Sequence, residues 1–131
     1  MPFQRYIKSV ITSVCVWVAV PSAFALTAEQ TVQLEHLFAT KQYTQAYQTL
    51  LPLAQQGDAR AQSILGFLYS NGQGVRQDYK QTRIWWEKSA LQDYAIAQYN
   101  LGYLYFAGLG HVVDYDQART WWEKAASQGY V

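Results

Sequence analysis

A period of 36 residues governs this chain. Leu65-Gly-Phe-Leu-Tyr69 returns as Leu101-Gly-Tyr-Leu-Tyr105, and Gly72-x-Gly74 as Gly108-x-Gly110. Asp78-Tyr79 returns as Asp114-Tyr115, Trp85-Trp-Glu-Lys88 as Trp121-Trp-Glu-Lys124, and Ala61-Gln62 as Ala97-Gln98. The offset holds without a gap. A period of 20–50 residues marks a solenoid or array, whose units cannot hide their apolar faces alone and must stack on one another. The expected fold is all-α: an α/α superhelix of antiparallel helix-pair repeats.

Each unit reads as a helix A and a helix B. Helix A of the first full unit starts at Asp58, an N-cap residue directly after Gly57. Ala61, Leu65 and Leu68 fall at i, i+4 and i+7, the spacing of a buried stripe. The run Ser70-Asn-Gly-Gln-Gly74 ends it. Helix B opens near Asp78 or Tyr79, with Thr82, Trp85, Trp86, Ser89 and Ala90 on one side. Gly57 and Gly129 stand where helices B stop, in a left-handed position that suits glycine. Asp93 holds that place in the middle unit, where an aspartate fits less easily. Gly66 and Gly102 lie inside helices A, at a cost of about 1 kcal/mol each against alanine. Their recurrence predicts close approach of helix A to helix B or to the next unit, with Trp85 and Trp121 filling the gaps between units.

A diverged unit precedes these. Lys41-Gln-Tyr-Thr-Gln-Ala46 aligns with Gln77-Asp-Tyr-Lys-Gln-Thr82. Its helix A is predicted over Ala28–Thr40, with Val32, Leu34, Leu37 and Phe38 apolar, and Pro52 is expected to bend or interrupt its helix B. An atypical first unit is what a cap requires. At the far end Tyr130-Val131 begins a third helix A, and no polar capping helix follows Trp121-Trp122. The expectation is a piece of a longer array, with cover by a partner or a second copy as the alternative.

Residues 1–25 read as a secretory signal peptide. Arg5 and Lys8 make a positive n-region, Ser9–Val20 an uncharged apolar run, and Ala23-Phe-Ala25 a small-x-small cleavage site. The run is shorter than the roughly 20 residues that span a bilayer; an uncleaved anchor is the alternative. Val14 precedes Cys15 where a lipoprotein signal needs a small residue, so no lipid anchor is expected. Cleavage near Leu26 removes Arg5, Lys8 and the only cysteine, and leaves a net charge of −1 from an initial +1. That balance offers no basic field for nucleic acid. A chain without cysteine suits an oxidising compartment. The expected localisation is periplasmic or secreted, with no membrane span after cleavage.

The unit Gly57-Asp-Ala-Arg-Ala-Gln-x-x-Leu-Gly-x-x-Tyr-x-x-Gly-x-Gly-Val75, continued by Asp78-Tyr-x-x-x-x-x-Trp-Trp-Glu-Lys-x-Ala90, resembles the Sel-one-like repeat, a relative of the tetratricopeptide repeat. The resemblance is strong over residues 57–129 and weak over 28–56. It implies a right-handed α/α superhelix and a role as scaffold or adaptor for other proteins, with envelope functions or host interaction among exported bacterial members. Some cysteine-rich members are linked to β-lactam binding or hydrolysis, and their paired cysteines are missing here. Departures are small: His111-Val-Val113 replaces Val75-Arg-Gln77, and Thr82 stands where Ala118 gives the usual alanine. The expected organisation is a signal peptide at 1–25, a capping helix pair at 26–56, a full unit at 57–92, and a second at 93–131 with the start of a further one.

The sharpest binding candidate is a helix-A stripe. Tyr99, Tyr103 and Phe106 lie at i, i+4 and i+7, aligned with Ser63, Phe67 and Ser70. These positions differ between units while their neighbours do not. Helix A lines the concave side of an α/α solenoid, so the stripe is a candidate seat for a protein or peptide, aromatics being good anchors. The alternative is that the stripe packs on the next unit as core.

Chemistry is not expected. The paired glycines lack the strand, third glycine and lysine of a phosphate cradle and read as turns. His36 and His111 have no ligand partners at metal spacing, and no catalytic triad stands in a recognisable context. Asp78 and Asp114 read as N-caps, and the i, i+4 pairs Arg83–Glu87 and Arg119–Glu123 as solvated surface. The favoured function is an exported, non-catalytic scaffold with no cofactor and no metal. The alternatives are a cell-wall enzyme or inhibitor, by family analogy, and a secreted host-interaction factor.

Overall fold

The computed structural model describes residues 25–130. The signal-peptide reading, Cys15 included, therefore falls outside the described residues. Within them run six helices: α1 Ala28–Ala39, α2 Tyr43–Gln55, α3 Ala59–Asn71, α4 Tyr79–Ala90, α5 Ala95–Ala107 and α6 Tyr115–Ser127. Each packs on its neighbour in sequence, so three hairpins stack as an all-α solenoid.

Local chemistry sets the helix ends. Asp58 accepts from the Ala61 N–H, Asp78 from Lys80 and Gln81, and Asp114 from Gln117, each carboxylate meeting a donor that the first turn leaves unpaired. Gly72 and Gly108 close α3 and α5 with φ near +64° and +66°, a conformation that spares glycine a Cβ clash. Asp93 takes the same left-handed turn, at φ +60°. Thr27 and Gln30 form a reciprocal capping box that starts α1.

Two buried clusters make the core. One joins Leu34, Leu37, Leu50, Leu53, Leu65 and Leu68 with Trp85. The other joins Trp86 and Ala90 with Ala97, Leu101, Leu104 and Trp121. The tryptophan pair thus divides: Trp85 belongs to the cluster behind it and Trp86 to the one ahead. Trp85 and Trp121 were expected to fill the inter-unit gaps; Trp86 takes part as well.

The close approach expected at the helical glycines is between helix A and helix B of one unit. A Cβ built on Gly66 falls 2.5 Å from Cδ1 and Nε1 of Trp86, and one on Gly102 falls 2.5 Å from the same atoms of Trp122. Each indole N–H donates to a carbonyl one turn earlier, Trp86 to Ser63 and Trp122 to Tyr99, both at 3.0 Å. The loop glycines make the inter-unit approach: Gly74 lies against the Tyr43 backbone and Gly110 against Tyr79.

Of the two outcomes expected at Pro52, a bend or an interruption, the interruption does not occur: α2 runs on to Gln55. Pro52 is exposed, and the Gln48 carbonyl that loses a donor belongs to an exposed residue, where solvent can replace the missing N–H. Arg119 does not pair with Glu123; it meets Asp116 at 3.1 Å. Arg83 and Glu87 do pair, at 3.0 Å, but half-buried rather than fully solvated.

Candidate binding surface

The phase of helix A decides which residues meet solvent. Leu65 and Leu68 point into the core, and Gly66 carries Trp86. The face left open is Arg60, Ile64 and Phe67 in α3, and Ile96, Asn100 and Tyr103 in α5, again at i, i+4 and i+7. This stripe is the expected one set back by three residues, 60, 64 and 67 in place of 63, 67 and 70. Only Phe67 and Tyr103 belong to both.

The six expected residues separate accordingly. Phe67 and Tyr103 stand out into solvent, 45% and 53% exposed. Ser63 is only 5% exposed, under the Trp86 indole that bonds its carbonyl, yet it forms part of the wall of the same cleft as Phe67. Ser70 is half-buried, and its hydroxyl donates back to the Phe67 carbonyl at 2.8 Å. Tyr99 and Phe106 are exposed but lean on Trp122, with ring centroids 6.4 and 5.6 Å away, at the outer end of the last hairpin. The structure does not bring the six into one surface: Ser63 and Phe67 line one cleft, Ser70 and Tyr103 another of about 210 Å³ with Tyr79 and Trp86, and Tyr99 and Phe106 lie beside Trp122.

Along the open stripe run two adjoining clefts. One, of about 180 Å³, lies between α1 and α3 and is lined by Leu26, Leu34, Phe38, Ile64, Glu35 and Arg60. The other, of about 320 Å³, continues past Phe38 and Ile64 to Phe67, Tyr94, Ile96 and Asn100. Together they form an apolar groove across all three hairpins, with Arg60, Glu35 and Asn100 as its polar points. The signal for Ile64, Ile96, Asn100 and Arg60 was in the sequence as the same i, i+4, i+7 arithmetic, started three residues earlier.

The perturbed titrations are structural. Burial, then the Tyr47 hydroxyl 3.1 Å away, pushes Tyr69 up to about 12. Burial, then its 2.9 Å hydrogen bond to Glu87, raises Tyr105. Both link one unit to the unit before it. Among the described residues no cluster of three His, Cys, Asp or Glu side chains has the proximity to hold a metal, and no helix is long and apolar enough to cross a membrane.

A family model for the Sel1 repeat matches residues 59–94 and 95–130, more than half the chain. Among solved structures, a Sel1 repeat protein from Oxalobacter formigenes is 34% identical with a TM-score of 0.71, over 76% of this chain and 41% of its own. The protein c5321, described as a protective antigen of uropathogenic Escherichia coli with an SLR fold, is 37% identical with a TM-score of 0.65, over 66% of this chain and 19% of its own. This chain therefore spans less than half the length of the first and about a fifth of the second. No curated protein matches it.

Proposed function

Because the chain belongs to the Sel1 repeat family, whose members are generally protein-interaction scaffolds, we propose that it is an exported, non-catalytic scaffold that grips an apolar protein segment along the groove of its A helices. One observation carries the reading. Phe67 and Tyr103 are about equally exposed, although a further hairpin follows the first and none among the described residues follows the second. Stacking does not cover this position, so a large aromatic there serves something other than the solenoid's own core. Rigid aromatics with few torsions lose little entropy on binding. Export rests on Arg5, Lys8, the apolar run to Val20 and Ala23-Phe-Ala25.

The test is capture from an envelope extract with the whole chain and with Phe67→Ala and Ile96→Ala, both exposed residues of the cleft wall. Partner recovery falls for both variants while their melting temperatures stay within the change of about 0.5 kcal/mol expected of surface substitutions. Binding that survives both variants, or a large loss of stability, refutes the groove. Cell fractionation tests export: the protein appears in the periplasm or the medium, and retention in the cytosol refutes it. A second reading, contact with a host, is favoured by the likeness to the uropathogenic protective antigen. It requires the protein in culture medium or on the cell surface.

A further inference from the structure

Two backbone nitrogens just before α1 are held by acceptors of different kinds. The Leu26 N–H donates to Asp58 Oδ2 at 3.0 Å, across 32 residues of sequence. The Thr27 N–H donates to the uncharged Gln30 amide oxygen at 3.0 Å, as part of the capping box. The Leu26 side chain packs on the first buried cluster and lines the cleft between α1 and α3 with Leu34, Phe38 and Ile64.

Asp58 is half-buried, and both its carboxylate oxygens are in use. Oδ1 caps α3 through the Ala61 N–H at 2.6 Å, and Oδ2 takes Leu26. Among the described residues no cation pairs with it; Arg60, two residues on, reaches the Thr31 hydroxyl instead, at 3.4 Å. A half-buried charge met only by neutral N–H groups is incompletely compensated. The repeat itself does not ask for an aspartate here. One period on, the same N-cap place is Tyr94, whose side chain caps nothing.

The leader motif and the structure meet at one bond. Ala23-Phe-Ala25 directs hydrolysis between Ala25 and Leu26. We propose that this cut is a maturation step that completes the fold: it turns the Leu26 nitrogen into an α-ammonium, which Asp58 receives as an ion pair fastening the start of α1 to the start of α3. Water adds across the bond. Ala25 leaves as a carboxylate on the leader, and Leu26 keeps the nitrogen and gains protons. The hydrogen bond becomes charge-assisted, about twice as strong as its neutral form. Neighbouring cuts do not achieve this. One residue later, the ammonium is on Thr27 and faces an uncharged amide. One residue earlier, it stands about 3.8 Å further along the chain and Asp58 keeps a neutral N–H. α1 packs less on its neighbour than the other helices do on theirs, so the tie acts where the solenoid is held loosest, on one wall of the apolar groove. The proposal rests on the export reading above.

The other charged and titratable groups at this corner are Glu35 of α1, Arg60 of α3 and Tyr94 at the start of α5, whose hydroxyl feels both Arg60 and Asp58. Burial raises Tyr94, which keeps it neutral where an α-amine titrates.

The test compares the processed chain Leu26–Val131, which holds all six helices, with the same chain N-α-acetylated, which keeps the N–H and removes the charge. At about pH 6 acetylation raises the unfolding constant about tenfold, the gap between a neutral and a charged hydrogen bond. In Asp58→Asn, which keeps an acceptor oxygen, acetylation changes that constant by less than about twofold. The pair exists only while the amine is protonated, so the gap is whole below about pH 8 and closes as pH rises beyond it. Mass spectrometry of the exported protein finds Leu26 as its first residue. Free and acetylated chains of equal stability at low pH, a gap that persists in Asp58→Asn, or one that does not close at high pH overturns the pairing and leaves export standing. Exported protein that starts at another residue overturns the cut alone, and whole chain retained in the cytosol overturns the cut and export together.

Discussion

Gly66→Ala tests the central contact of the fold. In an isolated helix this change stabilises by about 1 kcal/mol. Here the added methyl falls 2.5 Å from two ring atoms of Trp86. The atoms it meets belong to a rigid ring rather than a flexible chain end, and that ring is buried and tied to the Ser63 carbonyl at 3.0 Å. Overpacking a filled site costs about 1–3 kcal/mol, and losing the indole hydrogen bond costs about 1 kcal/mol more. The net expectation is a loss of about 1–3 kcal/mol, near 10 °C in melting temperature for a domain of this size. Gly102→Ala is the internal control. Its geometry against Trp122 is the same, but Trp122 is half-buried at the outer end and can swing away, so propensity and clash offset to within about 1 kcal/mol. Urea unfolding followed by circular dichroism at constant m measures both. Adding Trp86→Leu to Gly66→Ala removes the clash, so the pair is non-additive by more than about 0.5 kcal/mol. A Gly66→Ala variant as stable as the parent, or no less stable than Gly102→Ala, refutes the reasoning.

Asp58→Ala removes both the cap on the Ala61 N–H and the acceptor of the Leu26 N–H at 3.0 Å. It costs about 1–2 kcal/mol, and hydrogen exchange at the Leu26 amide accelerates with it. Tyr69 holds its proton more tightly when folded, at about 12 against an ordinary value of 10.0, and Tyr105 shifts the same way. The stability they contribute is whole below pH 10 and is lost as pH rises toward 12. Chemical unfolding midpoints measured across that window fall, and Tyr69→Phe makes the fall shallower.

Much of the fold was legible because capping is local. Asp58, Asp78 and Asp114 announced three helix starts, and Gly72 and Gly108 two helix ends, from chemistry within a few residues. The phase of the open stripe was not legible in the same way. Positions 63 and 64 are both compatible with a period of 3.6; what separates them is the indole of Trp86 lying over Gly66, a contact 20 residues distant. A signal for that contact exists within the chain. Glycine and the second tryptophan occur together as Gly66 with Trp86 and Gly102 with Trp122, and are replaced together by Glu35 and Leu50 in the first hairpin. The Tyr105 hydroxyl that bonds Glu87 comes from the next helix A, a partner that spacing within α4 does not announce.

A repeat protein carries its own controls, since each position is seen in two neighbourhoods. Exposure at Phe67 and Tyr103 is indifferent to whether another hairpin follows, so that position belongs to the side of the solenoid. Exposure at Trp86 and Trp122, or Ala90 and Ala126, changes with it, so those positions belong to the stacking direction. The lateral stripe and the stacking direction therefore draw on different side chains: Phe67 and Tyr103 serve the first, Trp86 and Ala90 the second.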